Sequence, residues 1–300
     1  MIKKITILLV SIALISCNTA KNNKPIVIST TGMIHNIVEE VGKEHIKSIG
    51  LMGPGVDPHL YKASAGDVKK LNEADLILYN GLHLEAKMID IFKKLNKKKP
   101  AIAVTASIPK KELLAPEDYD GFYDPHVWFD VSLWKYSVTT VTKALIELKP
   151  ELRKEFITNQ DNYLKKLDEL DFWVKEQINL IPQNRRLLVT AHDAFGYFGK
   201  QYGIEVIGLQ GISTAAEANT KDIQNVVSII IKNNIPTIFI ESSVPVRQIN
   251  AVKAAVKAKG NSVEIGQPLF TDAMGSADTP EGTYIGMIKH NVISIVNGLK

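Results

Sequence analysis

The sequence predicts an α/β protein with two lobes, each a roughly four-stranded parallel sheet flanked by helices, joined by one long linking helix. Two observations predict the lobes: short runs of aliphatic and β-branched residues alternate with helical stretches, and this alternation occurs twice along the chain. A third observation predicts the linker, because residues 131–181 contain no strand signal. Short apolar runs of this kind are typical of buried parallel strands.

The predicted first lobe spans residues 25–150. Its helices are indicated by apolar residues at helical spacing over 33–41 and 65–73. Its strands are the apolar runs 26–30, 46–51, 76–79 and 101–104. Strands that alternate with helices in this way predict βαβ units.

The predicted second lobe spans residues 182–300 and repeats the same pattern. Its strands are 187–190, 206–209, 237–240 and 263–265. Between the lobes, the segment 151–181 follows Pro150, and proline is well tolerated at the start of a helix. One helix over 151–180 would be about 45 Å long. Two shorter helices with a bend near Asn159 are the alternative.

The N-terminus predicts export. Lys3 and Lys4 precede a mostly apolar run, Ile5–Ile15, that is too short to span a bilayer as a helix. Residues 14–17 resemble the lipobox of bacterial lipoproteins, so we expect residues 1–16 to be a signal peptide and Cys17 to be the lipid-bearing residue. Residues 17–24 would then form a tether. The alternative is an ordinary secretion signal in which Cys17 is incidental.

Composition excludes several classes of protein. Cys17 is the only cysteine, so disulfides and thiolate chemistry in the folded part are excluded. Loss of Lys3 and Lys4 with the signal peptide lowers the formal charge from +4 to +2, which is too balanced for a nucleic-acid-binding surface. A metal site in this chain must therefore use histidine and carboxylate ligands.

Metal-capable side chains follow the predicted strands in both lobes. Ligands of open parallel sheets gather at the carboxyl ends of the strands, because the loops there converge on one crevice. For any single histidine a hydrogen-bonded structural role is the better interpretation, but three histidines and one aspartate at strand ends favour a metal, and the triplet Asp-Pro-His occurs twice. The candidate ligands are His59, His126, His192 and Asp272.

The segments around these residues resemble the ligand motifs of the solute-binding lipoproteins of zinc and manganese ABC importers. The motifs are Gly-Val-Asp-Pro-His-Leu-Tyr (55–61), Asp-Pro-His-Val-Trp (124–128), Ala-His-Asp-Ala-Phe-Gly-Tyr-Phe (191–198) and Thr-Asp-Ala-Met-Gly (271–275). Residues 80–85 and 282–291 are also similar to that family. The resemblance covers essentially the mature chain.

This resemblance implies a protein that binds one zinc or manganese ion per chain between two lobes and delivers it to a membrane permease. It implies metal ligands at His59, His126, His192 and Asp272. It also implies an extracytoplasmic, membrane-anchored lipoprotein without enzymatic activity, which we expect to be a monomer that binds no nucleic acid. The two alternatives from other classes are a secreted zinc-dependent hydrolase and a surface adhesin. No hydrolase motif such as His-Glu-x-x-His is present.

Two clues to the metal point in opposite directions. Many zinc-specific members of the family carry a histidine-rich loop before the second ligand, and residues 108–123 contain no histidine. Many manganese-binding members have glutamate at the third ligand position, where this chain has His192. The sequence therefore leaves zinc and manganese open.

The remaining polar and aromatic candidates receive structural interpretations. We assign packing, capping or surface roles to the other histidines, His35, His45, His83 and His290, and core or lobe-packing roles to Trp128, Trp134 and Trp173. Glu241 follows the seventh predicted strand and would either support a metal ligand through a hydrogen bond or form an ion pair with Arg247.

Overall fold

The structure is a computed structural model that describes residues 24–116, 119 and 121–300. The predicted signal peptide, Cys17 and most of the tether lie outside the described residues. Two α/β lobes and one long helix make up the described part, which confirms the predicted fold class.

The first lobe contains a four-stranded parallel sheet with the order β2-β1-β3-β4. Each strand pairs in register with its neighbour, for example Ile28 with Ile49 of β2 and with Ile77 of β3. Its elements are β1 (Ile26–Ser29), α1 (Gly32–Gly42), β2 (Lys47–Gly50), α2 (Ala65–Glu73), β3 (Leu76–Tyr79), α3 (Ile89–Leu95), β4 (Ala101–Ala103) and α4 (Val131–Leu148). All four predicted strands are present within one residue or two of their predicted ends.

Two aspartate carboxylates cap the N-termini of helices in this lobe. Asp67 and Ser64 form a reciprocal capping box at α2, in which each side chain accepts the backbone N–H of the other residue. At α4, the Asp130 carboxylate accepts the N–H groups of Ser132 and Leu133. Because Asp130 ends the loop that contains His126, this cap fixes where that loop stops.

The second lobe contains two pairs of parallel strands. Its elements are β5 (Leu187–His192), α6 (Gly196–Tyr202), β6 (Glu205–Gln210), α7 (Thr220–Asn233), β7 (Thr237–Ile238), α8 (Arg247–Ala258), β8 (Glu264–Ile265) and α9 (Tyr284–Leu299). β5 pairs with β6, β7 pairs with β8, and the N–H of Phe239 bonds the carbonyl of Val189 in β5. β7 ends two residues before its predicted end, because Pro268 has no N–H to continue the ladder, which resumes only as a bridge between Glu241 and Leu269. β8 begins one residue later than predicted.

The long helix α5 (Arg153–Ile178) runs without a break through Asn159, so the single-helix prediction is confirmed and the bent alternative is wrong. Its 26 residues give a rod about 39 Å long. One face is buried at heptad-like spacing by Phe156, Tyr163, Leu167, Leu170, Val174 and Ile178. This face contacts α1 and α4 of the first lobe and α9 of the second.

The largest hydrophobic core is shared between the lobes. It includes Val27 and Leu78 of the first sheet, Leu188 of the second and the buried face of α5. Each lobe also has a smaller core of its own on the outer side of its sheet. Among the described residues, no helix is both long and apolar enough to cross a bilayer. The boundaries predicted for the lobes at residues 150 and 182 stay a prediction.

Candidate metal centre

The structure brings the four predicted ligands together in one buried cluster between the lobes. Their candidate ligand atoms all lie within 4.8 Å of one another. His59 lies in the loop after β2, His126 lies just before α4, His192 is the last residue of β5, and Asp272 follows β8. The cluster thus lies at the carboxyl ends of strands from both sheets, where open parallel sheets bind ligands.

Three distances within the cluster are close to the edge length of a tetrahedral zinc site. The Nε2 atoms of His59 and His126 are 3.3 Å apart. Asp272 Oδ1 lies 3.3 Å from Nε2 of His126, and Asp272 Oδ2 lies 3.4 Å from Nε2 of His192 and 3.7 Å from Nε2 of His59. Four ligand atoms bound to zinc at about 2.0–2.1 Å lie about 3.3–3.4 Å apart.

Three polar atoms that face the centre have no hydrogen-bond partner within the described part of the chain. His192 Nε2 and both carboxylate oxygens of Asp272 are buried without a partner of normal geometry. Orphaned buried polar atoms of this kind are rare in folded proteins and call for an explanation such as a bound ion. The donor set of three imidazoles and one carboxylate suits zinc and other first-row divalent metals.

Two of the three imidazoles are oriented by carboxylates on their outer side. Asp124 Oδ1 lies 2.8 Å from Nδ1 of His126 and also accepts the backbone N–H of His126 at 2.9 Å. Glu241 contacts Nδ1 of His192, accepts the backbone N–H of His192 at 2.9 Å, and accepts the Thr271 hydroxyl at 2.9 Å. A proton on Nδ1 of each ring leaves the Nε2 lone pair for a metal.

The contacts of Glu241 bear on the two roles considered for this residue. Its buried carboxylate supports His192, and within the described residues no ion pair joins it to Arg247. The equivalent role of Asp124 was not singled out from the sequence. A signal was present, since aspartate two residues before a backbone N–H commonly accepts it in an Asx turn.

The third imidazole, that of His59, is not oriented by the aspartate of its own motif. Its backbone N–H donates to Asp57 Oδ1 at 2.8 Å, but the second oxygen of Asp57 accepts the hydroxyl of Thr214 at 2.6 Å. Thr214 belongs to the loop after β6 in the second lobe. The Asp57 carboxylate therefore links the lobes and is not bonded to the His59 ring.

Burial and neighbouring charges shift the pKa values of the cluster in opposite directions. Burial lowers the pKa of His59 to about 3. Burial would also lower the pKa of His126, but the Asp124 and Asp272 carboxylates outweigh it and raise that pKa to about 9. Against the same burial, Glu241 and Asp272 raise the pKa of His192 well above 6.5. Although burial opposes it, the positive imidazoles hold the pKa of Asp272 well below 3.8.

The other histidines lie away from the centre. His35 bonds Ser48 within the first lobe, His83 stacks on Phe122, and His290 bonds the carbonyl of Pro268. His45 forms an ion pair of 2.7 Å with Glu155, and these two residues and Glu44 make a second but exposed group of metal-capable side chains. His45 Nε2 already has Glu155 as its partner, and no atom of this group is among the buried polar atoms without a partner.

The tryptophans lie in packed surroundings. Trp128 and Trp134 are fully buried, and Trp173 is partly buried beneath Lys289. The ring of Trp128 contacts the ring of His126 edge to face at 5.2 Å between centroids, and its Nε1 donates to the carbonyl of Thr271 at 3.1 Å. Trp128 thus contacts the segments of two predicted ligands without facing the centre as a ligand.

Two parallel-sheet lobes, one rigid linking helix and a closed nitrogen and oxygen site between the lobes define a two-lobed solute-binding protein that holds a metal. The chain belongs to the family described as ZnuA, zinc-uptake complex component A, periplasmic, whose profile matches residues 27–298.

Similar proteins cover nearly the whole chain. The zinc-binding protein TroA of Treponema pallidum is 50% identical over 284 residues, which cover 95% of this chain and 92% of that protein. The manganese-binding lipoprotein MntA of Bacillus subtilis is 44% identical, with 98% and 97% covered. The manganese ABC transporter substrate-binding lipoprotein PsaA of Streptococcus anginosus is 30% identical, with 96% and 95% covered.

The fold agrees with a solved structure as well. The periplasmic zinc-binding protein TroA from Treponema pallidum superposes with a TM-score of 0.90 over 92% of this chain and 99% of that chain. The sequence-based prediction of the family is therefore confirmed.

Proposed function

We propose that this protein captures one divalent transition metal outside the cytoplasm, with His59, His126, His192 and Asp272 as its ligands, and delivers it to the permease of an ABC importer. One observation carries the proposal: four buried side chains converge with nitrogen and oxygen atoms about as far apart as the ligands of one metal ion, and three of these atoms have no hydrogen-bond partner. Relatives named as zinc-binding, as manganese-binding and as an ABC transporter substrate-binding lipoprotein support it.

The same site argues for a binder and against a hydrolase. A hydrolytic zinc centre keeps one coordination position for water or substrate, whereas four protein ligands close a tetrahedral zinc site. All four side chains are at least 97% buried, which leaves no room for a substrate beside the metal. No feature of the described surface favours the adhesin alternative.

The proposed anchor is the lipid on Cys17. The names of MntA and PsaA, both lipoproteins, support this role for a cysteine at the end of an export signal. The chain would then act as a monomer tethered by residues 17–24 to the membrane that contains its permease.

The test of the site compares His126→Ala with His45→Ala. Metal content after purification and competition titrations should show one tight metal per wild-type chain, strong loss of affinity in His126→Ala, and wild-type affinity in His45→Ala. His45 is the matched control because it belongs to the exposed metal-capable group. Equal effects of the two substitutions would reject the ligand assignment, and activity in a hydrolase screen with the zinc-loaded protein would favour the enzyme.

The choice of metal is tested at His192. A nitrogen-rich site prefers zinc to manganese by the stability order of divalent ions, so the isolated protein should bind zinc more tightly. His192→Glu adds a hard anionic oxygen and should shift the ratio of the two dissociation constants towards manganese. An unchanged ratio in competition titrations would mean either that His192 is not a ligand or that the geometry between the lobes, and not ligand chemistry, sets the selectivity.

A further inference from the structure

The segment that carries His126 is bound by side chains of the second lobe, although the chain enters it from the first. The Tyr197 hydroxyl donates to the carbonyl of Asp124 at 2.9 Å. The Tyr284 hydroxyl donates to the carbonyl of Trp128 at 2.7 Å, and Trp128 Nε1 donates to the carbonyl of Thr271. From the first lobe, the Asn80 amide donates to the carbonyl of Pro125 at 3.0 Å.

Tyr197 forms a hydrogen bond with Asp124, the residue whose carboxylate contacts the ring of His126. Its side chain is fully buried, and its hydroxyl accepts the N–H of Leu114 at 3.1 Å while it donates to the carbonyl of Asp124. The N–H of Asp124 in turn donates to the carbonyl of Leu114 at 2.9 Å. The hydroxyl therefore closes a ring of hydrogen bonds that fixes the backbone of Asp124 relative to α6.

The backbone before Tyr197 is shaped around the same carboxylate. A Cβ atom on Gly196 would lie 3.0 Å from Asp124 Oδ2 and 3.3 Å from a methyl group of Leu114. Only a residue without a side chain fits there with Asp124 unmoved. The first turn of α6 thus donates a hydrogen bond to the carbonyl of Asp124 and leaves the space that its carboxylate occupies.

We propose that Tyr197 is a positioning residue of the metal site: its hydroxyl fixes Asp124 against the second lobe, and Asp124 in turn orients His126. This inference rests on the proposed role of His126 as a ligand. Asp124 contacts both the ring Nδ1 and the backbone N–H of His126. If Asp124 becomes more mobile, the ring of His126 therefore loses its fixed orientation. Tyr197 and His192 belong to one motif, so α6 couples a ligand of the second lobe to a ligand reached from the first.

The experiment compares Tyr197→Phe with Tyr202→Phe in the full mature chain. Tyr202 is the matched control, because it lies on the same helix, is buried, and donates its hydroxyl to Asp171 at 2.9 Å. We expect zinc to dissociate to a chelator about tenfold faster from Tyr197→Phe, since partners of ligating groups typically contribute 10–100-fold to metal affinity. We expect Tyr202→Phe to keep the wild-type rate.

The visible absorption of the cobalt-loaded protein separates positioning from a loss of stability. It reports the geometry around the ion, so Tyr197→Phe should change the band intensities and Tyr202→Phe should not, even where both lower the midpoint of thermal unfolding. The methyl group of Gly196→Ala would press on the Asp124 carboxylate without removal of a hydrogen bond, so this variant should change the spectrum in the same way. A wild-type rate and spectrum for Tyr197→Phe, or equal changes in Tyr202→Phe, would overturn the proposal.

His126→Ala distinguishes this inference from the proposed function. Loss of binding in His126→Ala together with wild-type behaviour of Tyr197→Phe would overturn the positioning role and leave the proposed function intact. Tight binding retained in His126→Ala would overturn both.

Discussion

At the scale of single residues, the two Asp-Pro-His triplets share a backbone geometry but use their carboxylates differently. In both, the aspartate accepts the backbone N–H of the histidine two residues later. Asp124 also holds the ring of His126, whereas Asp57 reaches across the lobes to Thr214. The local motif thus fixes the backbone position of each histidine, and tertiary contacts determine which further partner each aspartate binds.

Glu241 offers the clearest test of an outer partner. Its carboxylate accepts three hydrogen bonds, two from His192 and one from Thr271, and an amide would turn an N–H group towards one of these donors. Glu241→Gln should therefore weaken zinc binding 10–100-fold in competition titrations. Glu264→Gln, at an exposed carboxylate paired with Lys253, should leave the affinity unchanged. Equal affinities of wild type and Glu241→Gln would contradict the role of this carboxylate.

Metal binding should release protons at neutral pH. The pKa of His126 is raised to about 9 and that of His192 is raised in the same direction, so protonation of these rings at Nε2 competes with the metal, and metal binding displaces that proton. Calorimetry in buffers of different ionisation enthalpy should show net release of protons on metal binding at pH 7. Release that is absent at pH 7 would contradict these shifts.

The raised histidine pKa values also set the direction in which metal affinity depends on pH. Below a raised pKa the proton competes with the metal, so affinity should rise as the pH increases from 6 towards about 9 and then level off. The sequence alone places this change near the free histidine value of about 6.5. The neighbouring carboxylates move the pH of this change in affinity upward. Apparent dissociation constants measured from pH 5 to 9 would reveal the shift.

At the scale of elements, α5 stabilises the arrangement of both lobes, because its one buried face contacts α1 and α4 on one side and α9 on the other. Leu167, at the middle of this face, is fully buried. Leu167→Ala should lower the free energy of unfolding by about 2–5 kcal/mol in chemical denaturation. Lys165→Ala, on the exposed side of the same turn, should change it by less than about 0.5 kcal/mol. Similar losses of unfolding free energy in the two variants would mean that packing of this face does not stabilise the protein.

At the scale of the whole molecule, the shared core and the cross-lobe hydrogen bonds oppose wide opening. Bonds such as those of Tyr197 and Trp128 join the lobes beside the site, and a single helix bends less readily than flexible hinge strands. The radius of gyration from X-ray scattering should differ by less than about 1 Å between metal-free and metal-bound protein. A clearly larger change would show that the lobes separate.

The sequence by itself determined the elements and predicted the candidate ligand set. The strands and α5 follow from local apolar periodicity, and the four ligands follow from metal-capable residues at strand ends and from a family resemblance that covers the mature chain. These signals are local, because periodicity acts within a turn or a pleat and parallel strands bring their carboxyl ends to one edge.

Only the tertiary structure decided which side chains support the ligands. Tyr197 lies 73 residues from Asp124, and Thr214 lies 157 residues from Asp57, so no local pattern relates the partners. The raised pKa of His126 likewise depends on Asp272, which the chain supplies from the other lobe. Hydrogen bonds and charges act through space, and their partners are set by how the two lobes pack against each other.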